Sequence, residues 1–196
     1  MDPIVFARHV TSDPVCGRIR YAFRGVREVS LFGLLKKHAQ DRLPRVLGAV
    51  EILIMREQLK DKPRDRELDH EYAHIREAVR HAKTIASKRK IDPDLAGTVA
   101  AIQNIGRILT GKSEGHAEAG YLPAKRFLED MGCFTPKEIE QIATAVRNHS
   151  RKAYKDAPLD ELAKDVDIYT RFLDGHEFAQ PADVDRLHRI RADLSF

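Results

Sequence analysis

The sequence is poor in the residues that support disulfide-rich, turn-rich or membrane-spanning folds. It has two cysteines, Cys16 and Cys133, which are too few for a disulfide framework or a zinc ribbon. Its 11 glycines and 9 prolines in 196 residues disfavour a turn-rich all-β domain and a low-complexity chain. The most apolar stretch, residues 46–55, contains Glu51 and is too short to cross a bilayer. We therefore expect no membrane-spanning segment.

The start of the sequence also lacks the marks of a secretion signal. The first residues, MDPIVF, have neither the basic beginning nor the long apolar core of a signal peptide. Together with the scarcity of cysteine, this predicts a soluble protein of the cytoplasm. The net charge of +4 is small, and the excess of lysine and arginine lies in residues 1–60. This balance does not by itself indicate a nucleic-acid partner.

What the sequence does contain is helical periodicity, from residue 29 to the C-terminus. Apolar residues recur at the spacing of one helix face, with few turn signals between the periodic stretches. The pattern predicts an all-α fold without internal repeats or a domain linker. We predict helices over residues 29–39, 43–60, 66–89, 93–109, 115–131, 158–174 and 181–194, with a further helix that begins after residue 135.

Local signals predict where several of these helices begin and end. Asp92 precedes a proline and suits the N-cap of one helix, which Gly111 ends. Thr135 opens a TPKE sequence that has the form of a capping box. Pro123 lies inside a predicted helix, so we expect a break or kink near residue 119.

The common signatures of catalysis are absent from the sequence. There is no glycine-rich phosphate loop, no HExxH, no CxxC and no GxSxG. The nine histidines and several carboxylates remain, and some of them stand near the ends of predicted helices. A metal site assembled from helix ends needs this distribution. Because a single histidine is more often a bystander than a ligand, the order of these residues along the chain carries the argument.

That order resembles the HD superfamily of metal-dependent phosphohydrolases, over roughly residues 68–175. The resemblance rests on residues 100–107 (AAIQNIGR), on Gly115 and His116 before a helix, and on residues 142–150 (IATAVRNHS). It implies an all-α, HD-type helical bundle with an N-terminal helical extension. We assign residues 1–64 to the extension, packed on the bundle, and residues 65–196 to the HD-like domain.

The resemblance also implies a set of metal ligands. In the family, a first histidine, a His-Asp doublet, two further histidines and a late aspartate converge on one or two divalent metals. The implied cofactor is thus a divalent ion such as Mn, Fe, Ni or Mg. Matched by position, the ligands in this chain are His74, His116, His149 and Asp167, with Asp165 as the second choice for the aspartate.

The chain departs from the family at the doublet. Gln103 and Asn104 stand at these catalytic positions, in a register that the flanking residues fix. Asn104 keeps the shape of aspartate without its charge, and neutral amides are poor ligands for a divalent ion. The pair therefore belongs either to a weakened catalytic site or to an inactive pocket in which the amides are hydrogen-bonded. Natural divergence and an introduced inactivating change both stay open as its origin.

Two functions follow from the resemblance. The first is metal-assisted hydrolysis of a nucleotide or another small phosphoester, reduced or lost without the doublet, with Arg107 and Lys152 holding the phosphate. The alternative is a non-catalytic HD-like module that binds a phosphorylated ligand or a protein partner. Whether the chain is an enzyme and whether it forms a homo-oligomer stay open. Nucleic-acid binding through residues 18–45 ranks behind both functions, because the sequence shows no nucleic-acid-binding module there.

Overall fold

The computed structural model of the protein describes residues 42–194, which form eight α-helices and no strand. The predicted all-α fold is confirmed, whereas the helix predicted over residues 29–39 lies outside the described residues. None of the helices in the described part of the chain is both long and apolar enough to cross a membrane. The helices are α1 (Arg42–Gln58), α2 (Leu68–Arg89), α3 (Pro93–Ile102), α4 (Ile105–Thr110), α5 (His116–Met131), α6 (Pro136–Asn148), α7 (Pro158–Leu173) and α8 (Pro181–Leu194).

Helix α1 shares the core of the bundle. Its buried apolar side chains recur every three or four residues, which gives the helix one apolar face. At its first residue, Arg42 forms ion pairs with Asp94 of α3 and Glu138 of α6. The described part of the segment assigned to the extension therefore packs with α3 and α6, and the boundary after residue 64 stays a prediction. The buried apolar residues of α1 are Leu43, Val46, Val50 and Ile54.

Two predictions about helix continuity need correction. The single helix predicted over residues 93–109 is divided into α3 and α4, because Asn104 leaves the helical conformation at φ −97° and ψ 12°. Near residue 119, where a break or kink is predicted, there is no break, because α5 runs without interruption from His116 to Met131, and the kink stays a prediction. Pro123 removes only one backbone hydrogen bond. The buried Ala124 and Leu128 hold the rest of α5 against its neighbours.

The predicted helix ends are confirmed. The side chain of Asp92 accepts a hydrogen bond from the backbone N–H of Asp94 at 2.8 Å. Thr135 and Glu138 form the reciprocal capping box at the start of α6. Gly111 follows α4 with φ 78°, the left-handed conformation that glycine adopts readily.

Helices α4 and α5 approach each other at two glycines. A Cβ atom on Gly106 would lie 2.0 Å from the carbonyl oxygen of His116 and 2.7 Å from the backbone nitrogen of Gly120. Only a residue without a side chain allows the first turn of α5 to come this close to α4. The contact fixes the position of His116, the first residue of α5.

Candidate functional site

A pocket of about 410 Å³ lies where the ends of several helices meet. All four predicted metal ligands line it, and so do the two predicted phosphate-binding residues. Another cleft, of about 530 Å³, runs along the segment from Gln58 to Asp69 and contains none of the predicted site residues. The first pocket is therefore the candidate site. Its lining is made by Arg66, His74, Arg107, Ser113, His116, His149, Ser150, Lys152, Asp167, Arg171, His176 and Asp183.

Two histidine rings face each other in the pocket. The Nδ1 atoms of His116 and His149 each lie 2.6 Å from a backbone carbonyl oxygen, those of Ser113 and Val146. A carbonyl only accepts hydrogen bonds, so both Nδ1 atoms carry a proton. The two Nε2 atoms are 3.0 Å apart.

The electronic state of these rings follows from their burial. Burial lowers the pKa of His149 to about 4 and also lowers the pKa of His116. Both rings are therefore neutral at pH 7, and because their protons are on Nδ1, each Nε2 presents a lone pair to the other. This arrangement favours a cation or a shared proton between the two Nε2 atoms.

A lysine–aspartate ion pair stands beside the rings. The Nζ atom of Lys152 lies 2.7 Å from Oδ2 of Asp167. It also donates to the carbonyl oxygens of His149 at 2.7 Å and Lys164 at 3.0 Å, so all three of its N–H groups are used. Burial acts to raise the pKa of Asp167, but the Lys152 ammonium holds it well below its usual range. The carboxylate is thus charged and already paired with a cation.

Other predicted site residues are also paired with neighbouring side chains. Nδ1 of His74 lies 3.1 Å from Oδ2 of Asp174, which follows α7. One terminal nitrogen of Arg107 donates to both carboxylate oxygens of Glu71, at 2.9 and 2.8 Å. The Nε atom of Arg107 is buried and has no hydrogen-bond partner among the described residues.

The remaining predicted residues lie away from the pocket lining. Gln103 and Asn104 are both buried and do not line the pocket. Both polar atoms of the Gln103 side chain lack a hydrogen-bond partner among residues 42–194. Asp165, the second choice for the late aspartate, is paired with Arg89 at 2.7 Å and Arg186 at 2.8 Å.

The residues present do not fit the metal centre that the resemblance implies. Across residues 42–194, no three His, Cys, Asp or Glu side chains gather closely enough to hold a metal ion. His74 is paired with Asp174, Asp167 is paired with Lys152, and the doublet positions are neutral amides. Two imidazoles remain, which are fewer donors than a stable protein metal site uses.

Several residues that line the pocket were not predicted from the sequence. Arg171 follows Asp167 by four residues on α7, so the two side chains share one helix face. That spacing was readable in the predicted helix over residues 158–174 and would have indicated Arg171. Two further residues line the pocket because of the path that the folded chain takes. They are Arg66, which precedes α2, and Asp183, in the first turn of α8. No local signal marks either residue.

The eight described helices, with the histidine pair at the start of α5 and the end of α6, place the molecule in the class of all-α bundles. A crystal structure of a predicted HD superfamily hydrolase from an uncultured Thermotogales bacterium has the same fold, with a TM-score of 0.51. The two share 23% sequence identity, and the match covers 78% of this chain and 88% of that one. The resemblance stated from the sequence is thereby confirmed at the level of the fold.

A curated relative supports the same resemblance. Ribonuclease Y from Chlorobium luteolum (strain DSM 273 / BCRC 81028 / 2530) is 29% identical over 110 residues. The match covers 56% of this chain and 19% of ribonuclease Y, so the matched region is about a fifth of that protein. No protein-family model matches the chain.

Proposed function

We propose that this HD-type bundle binds a small phosphorylated ligand in the histidine pocket and does not hydrolyse it with a bound metal. The observation that carries the proposal is the ion pair between Lys152 and Asp167, with 2.7 Å between Nζ and Oδ2. In the family the late aspartate serves a metal ion, whereas here its charge is neutralised by the chain itself. The amides of Gln103 and Asn104 supply no replacement charge.

The charges around the pocket support an anionic ligand. Four arginine or lysine side chains line it, against the two carboxylates of Asp167 and Asp183. Arg171 is half-buried, stacks on the ring of Phe178 at 5.1 Å and approaches Asp167 only to 3.8 Å. Its planar guanidinium is therefore available to bind a phosphate group.

The proposal changes the residues expected to hold the phosphate. Lys152 has no N–H group left for a ligand, because all three point to protein oxygens. We assign the phosphate contacts to Arg171 and to the exposed Arg66. A pocket of about 410 Å³ is within the usual range for small-molecule sites. It suits a ligand of the size of a nucleotide.

The first test of this function is calorimetric titration of the full chain with inorganic pyrophosphate and with a nucleoside 5′-monophosphate. Arg171→Gln is expected to weaken binding about tenfold, because it removes a charge-assisted contact. Arg126→Gln is the matched control, since Arg126 is exposed on α5 and does not line the pocket. Equal affinity of the Arg171 variant and the wild type would contradict the assigned site.

The second test concerns hydrolysis. The protein is incubated with the same nucleotide, and with a short RNA because ribonuclease Y is a relative by name, in the presence of MnCl2. We expect no release of phosphate or RNA fragments above the level of a protein-free sample. Manganese-dependent turnover would show that the pocket is catalytic and would overturn the non-hydrolytic part of the proposal.

A further inference from the structure

Helix α1 carries apolar side chains on two opposite faces. One face is buried in the core of the bundle. On the other face, Ile52 and Met55 are 53% and 58% exposed, and Leu59, in the turn that follows α1, is 88% exposed. A surface helix of a globular protein usually presents polar residues to solvent, as α8 does, which exposes none of its large apolar side chains. The second apolar face of α1 therefore indicates a surface that binds a partner.

The spacing of these exposed residues is that of a coiled-coil seam. Ile52, Met55 and Leu59 follow each other at intervals of three and four residues, which are the a, d and a positions of a heptad. Glu51 and Arg56 then fall at the g and e positions, one on each side of the apolar stripe. In a parallel helix pair, a g residue lies beside the e residue five positions later in the other helix. Glu51 of each copy would thus lie beside Arg56 of the other copy.

Both charged side chains are available for such a contact. Glu51 and Arg56 are exposed, and neither forms an ion pair with another residue of the described range 42–194. The carboxylate of Glu51 accepts one hydrogen bond, from the hydroxyl group of Tyr72 at 3.2 Å. Residues five apart point to different sides of a helix, so Glu51 and Arg56 do not pair within one chain.

We propose that the exposed face of α1 is the interface of a parallel, two-fold symmetric dimer of this chain. The apolar stripe packs against its own copy, and two ion pairs between Glu51 and Arg56 flank it. The partner is a second copy because one helix supplies both signs of charge at the positions where a two-fold axis makes them meet. In an antiparallel pair each side of the stripe would face the same side of the other helix, and these ion pairs would be lost.

The size of the surface predicts a weak dimer. Three apolar side chains from each copy form a contact at the small end of specific interfaces, so we expect a dissociation constant on the order of 10 μM. The inference goes beyond the proposed function, because α1 contributes no residue to the lining of the histidine pocket. It holds whether or not a phosphorylated ligand binds.

The experiment is sedimentation equilibrium of the untagged full chain at concentrations below and above this value. Arg56→Glu places a carboxylate beside Glu51 of the other copy and is expected to weaken the dimer on the order of tenfold. Glu51→Arg combined with Arg56→Glu restores opposite charges and is expected to return the affinity to within about threefold of the wild type. Arg126→Glu is the matched control, because it makes the same change of charge at an exposed position of α5.

A variant of the apolar stripe gives a second test that does not depend on charge. Met55→Ser is expected to weaken the dimer about tenfold or more, because two apolar side chains are lost from each interface. Its melting temperature as a dilute monomer should equal that of the wild type, since Met55 is exposed there.

The inference is overturned if the wild type stays monomeric at every concentration. In that case the melting temperature of Met55→Ser identifies what covers the stripe: a decrease assigns it to a contact within the same chain, and no change leaves it to a different protein. A dimer that neither Arg56→Glu nor Met55→Ser weakens would place the interface elsewhere and would also overturn the inference. A dimer that Arg56→Glu weakens and the double exchange does not recover would exclude the parallel arrangement.

Discussion

At the scale of single residues, the side chain of Gln103 is the least satisfied group in the core. It is fully buried, and neither its oxygen nor its nitrogen has a hydrogen-bond partner within residues 42–194. In the unfolded chain this amide forms hydrogen bonds with water. Its burial without a partner in the folded protein therefore lowers the free energy of unfolding. Asn148 is a contrast, since its amide nitrogen donates to Asp160 at 3.0 Å.

Replacement of Gln103 by a residue of similar volume is therefore expected to stabilise the protein. Gln103→Met should raise the free energy of unfolding by about 1 to 2 kcal/mol, as measured by urea denaturation. Asn148→Leu is the matched control and should lower it by about 1 to 3 kcal/mol, because Asp160 loses its donor. A loss of stability in Gln103→Met would mean that the amide has a partner, such as a buried water molecule.

At the scale of helices, the contact between α4 and α5 determines where the histidine pair forms. Gly106 faces the carbonyl oxygen of His116, with no room for a methyl group between the two helices. Gly48, in contrast, lies inside α1, and a Cβ atom there would meet nothing within 4 Å. Replacement of each glycine by alanine thus measures two effects separately. At Gly106 it reports on the packing of α4 against α5, and at Gly48 it reports on helix propensity.

We expect Gly106→Ala and Gly48→Ala to change stability in opposite directions. Gly106→Ala should destabilise the protein by about 3 kcal/mol or more, because the backbone of α5 must move away. Gly48→Ala should stabilise it by about 0.5 to 1 kcal/mol, the usual gain for alanine over glycine inside a helix. Thermal melting of both variants measures the difference. A Gly106→Ala protein as stable as the wild type would show that the helices are less tightly packed than described.

Helices were predictable from the sequence to the extent that their signals are local. Apolar spacing predicted α2 and α8 almost to their ends, and the capping box predicted the start of α6, because those signals act within one or two turns. The break at Gln103 and Asn104 was not predictable, since neither glycine nor proline marks it and tertiary packing redirects the chain there. The most visible local feature at this break is that Gln103 and Asn104 form a polar pair inside a run of apolar residues.

Part of the lining of the candidate site was predictable from the sequence, but the pairing of its side chains was not. The resemblance placed His116, His149 and Asp167 among the site residues, and all three line one pocket. Their use depends on Lys152, which lies 15 residues before Asp167 and reaches it only through the course of the loop between α6 and α7. Sequence spacing contains no information on such a contact, because it depends on the packed positions of two helices.

At the scale of the whole molecule, buried histidine links stability to pH. Burial lowers the pKa of His81, with a further contribution from the neighbouring Arg80 guanidinium. Arg80 donates to its Nε2 at 2.8 Å, so Nδ1 carries the proton and faces Thr170. Glu77 and Asp174 act in the opposite direction without reversing the shift. The folded protein therefore keeps this ring neutral at a pH where the unfolded chain binds a proton.

This difference predicts that His81 makes folding less favourable in acid. Above the ordinary histidine pKa of about 6.5 both states are neutral and the ring has no pH-dependent effect. As the pH falls below that value, the unfolded chain gains the proton first, and stability falls by up to about 1.4 kcal/mol for each pH unit. Urea denaturation at pH 7.5 and 5.5 measures the stability of the wild type relative to His81→Gln.

The advantage of the wild type over His81→Gln is expected to shrink on acidification. Because the two proteins share all other titrating groups, these contributions cancel in the difference. His188→Gln serves as the control, since His188 is exposed on α8 and should change nothing. A difference that stays constant between the two pH values would show that His81 titrates alike in the folded and unfolded states.

The ion pair between Lys152 and Asp167 also has a consequence for the life of the protein in a cell. A bound metal ion is acquired after synthesis, competes with other ions and is lost to chelators or during starvation. The positive charge of a lysine side chain is present as soon as the chain has folded, because the lysine is incorporated when the chain is made. The positive charge beside Asp167 is therefore set at translation and does not depend on the supply of metal ions.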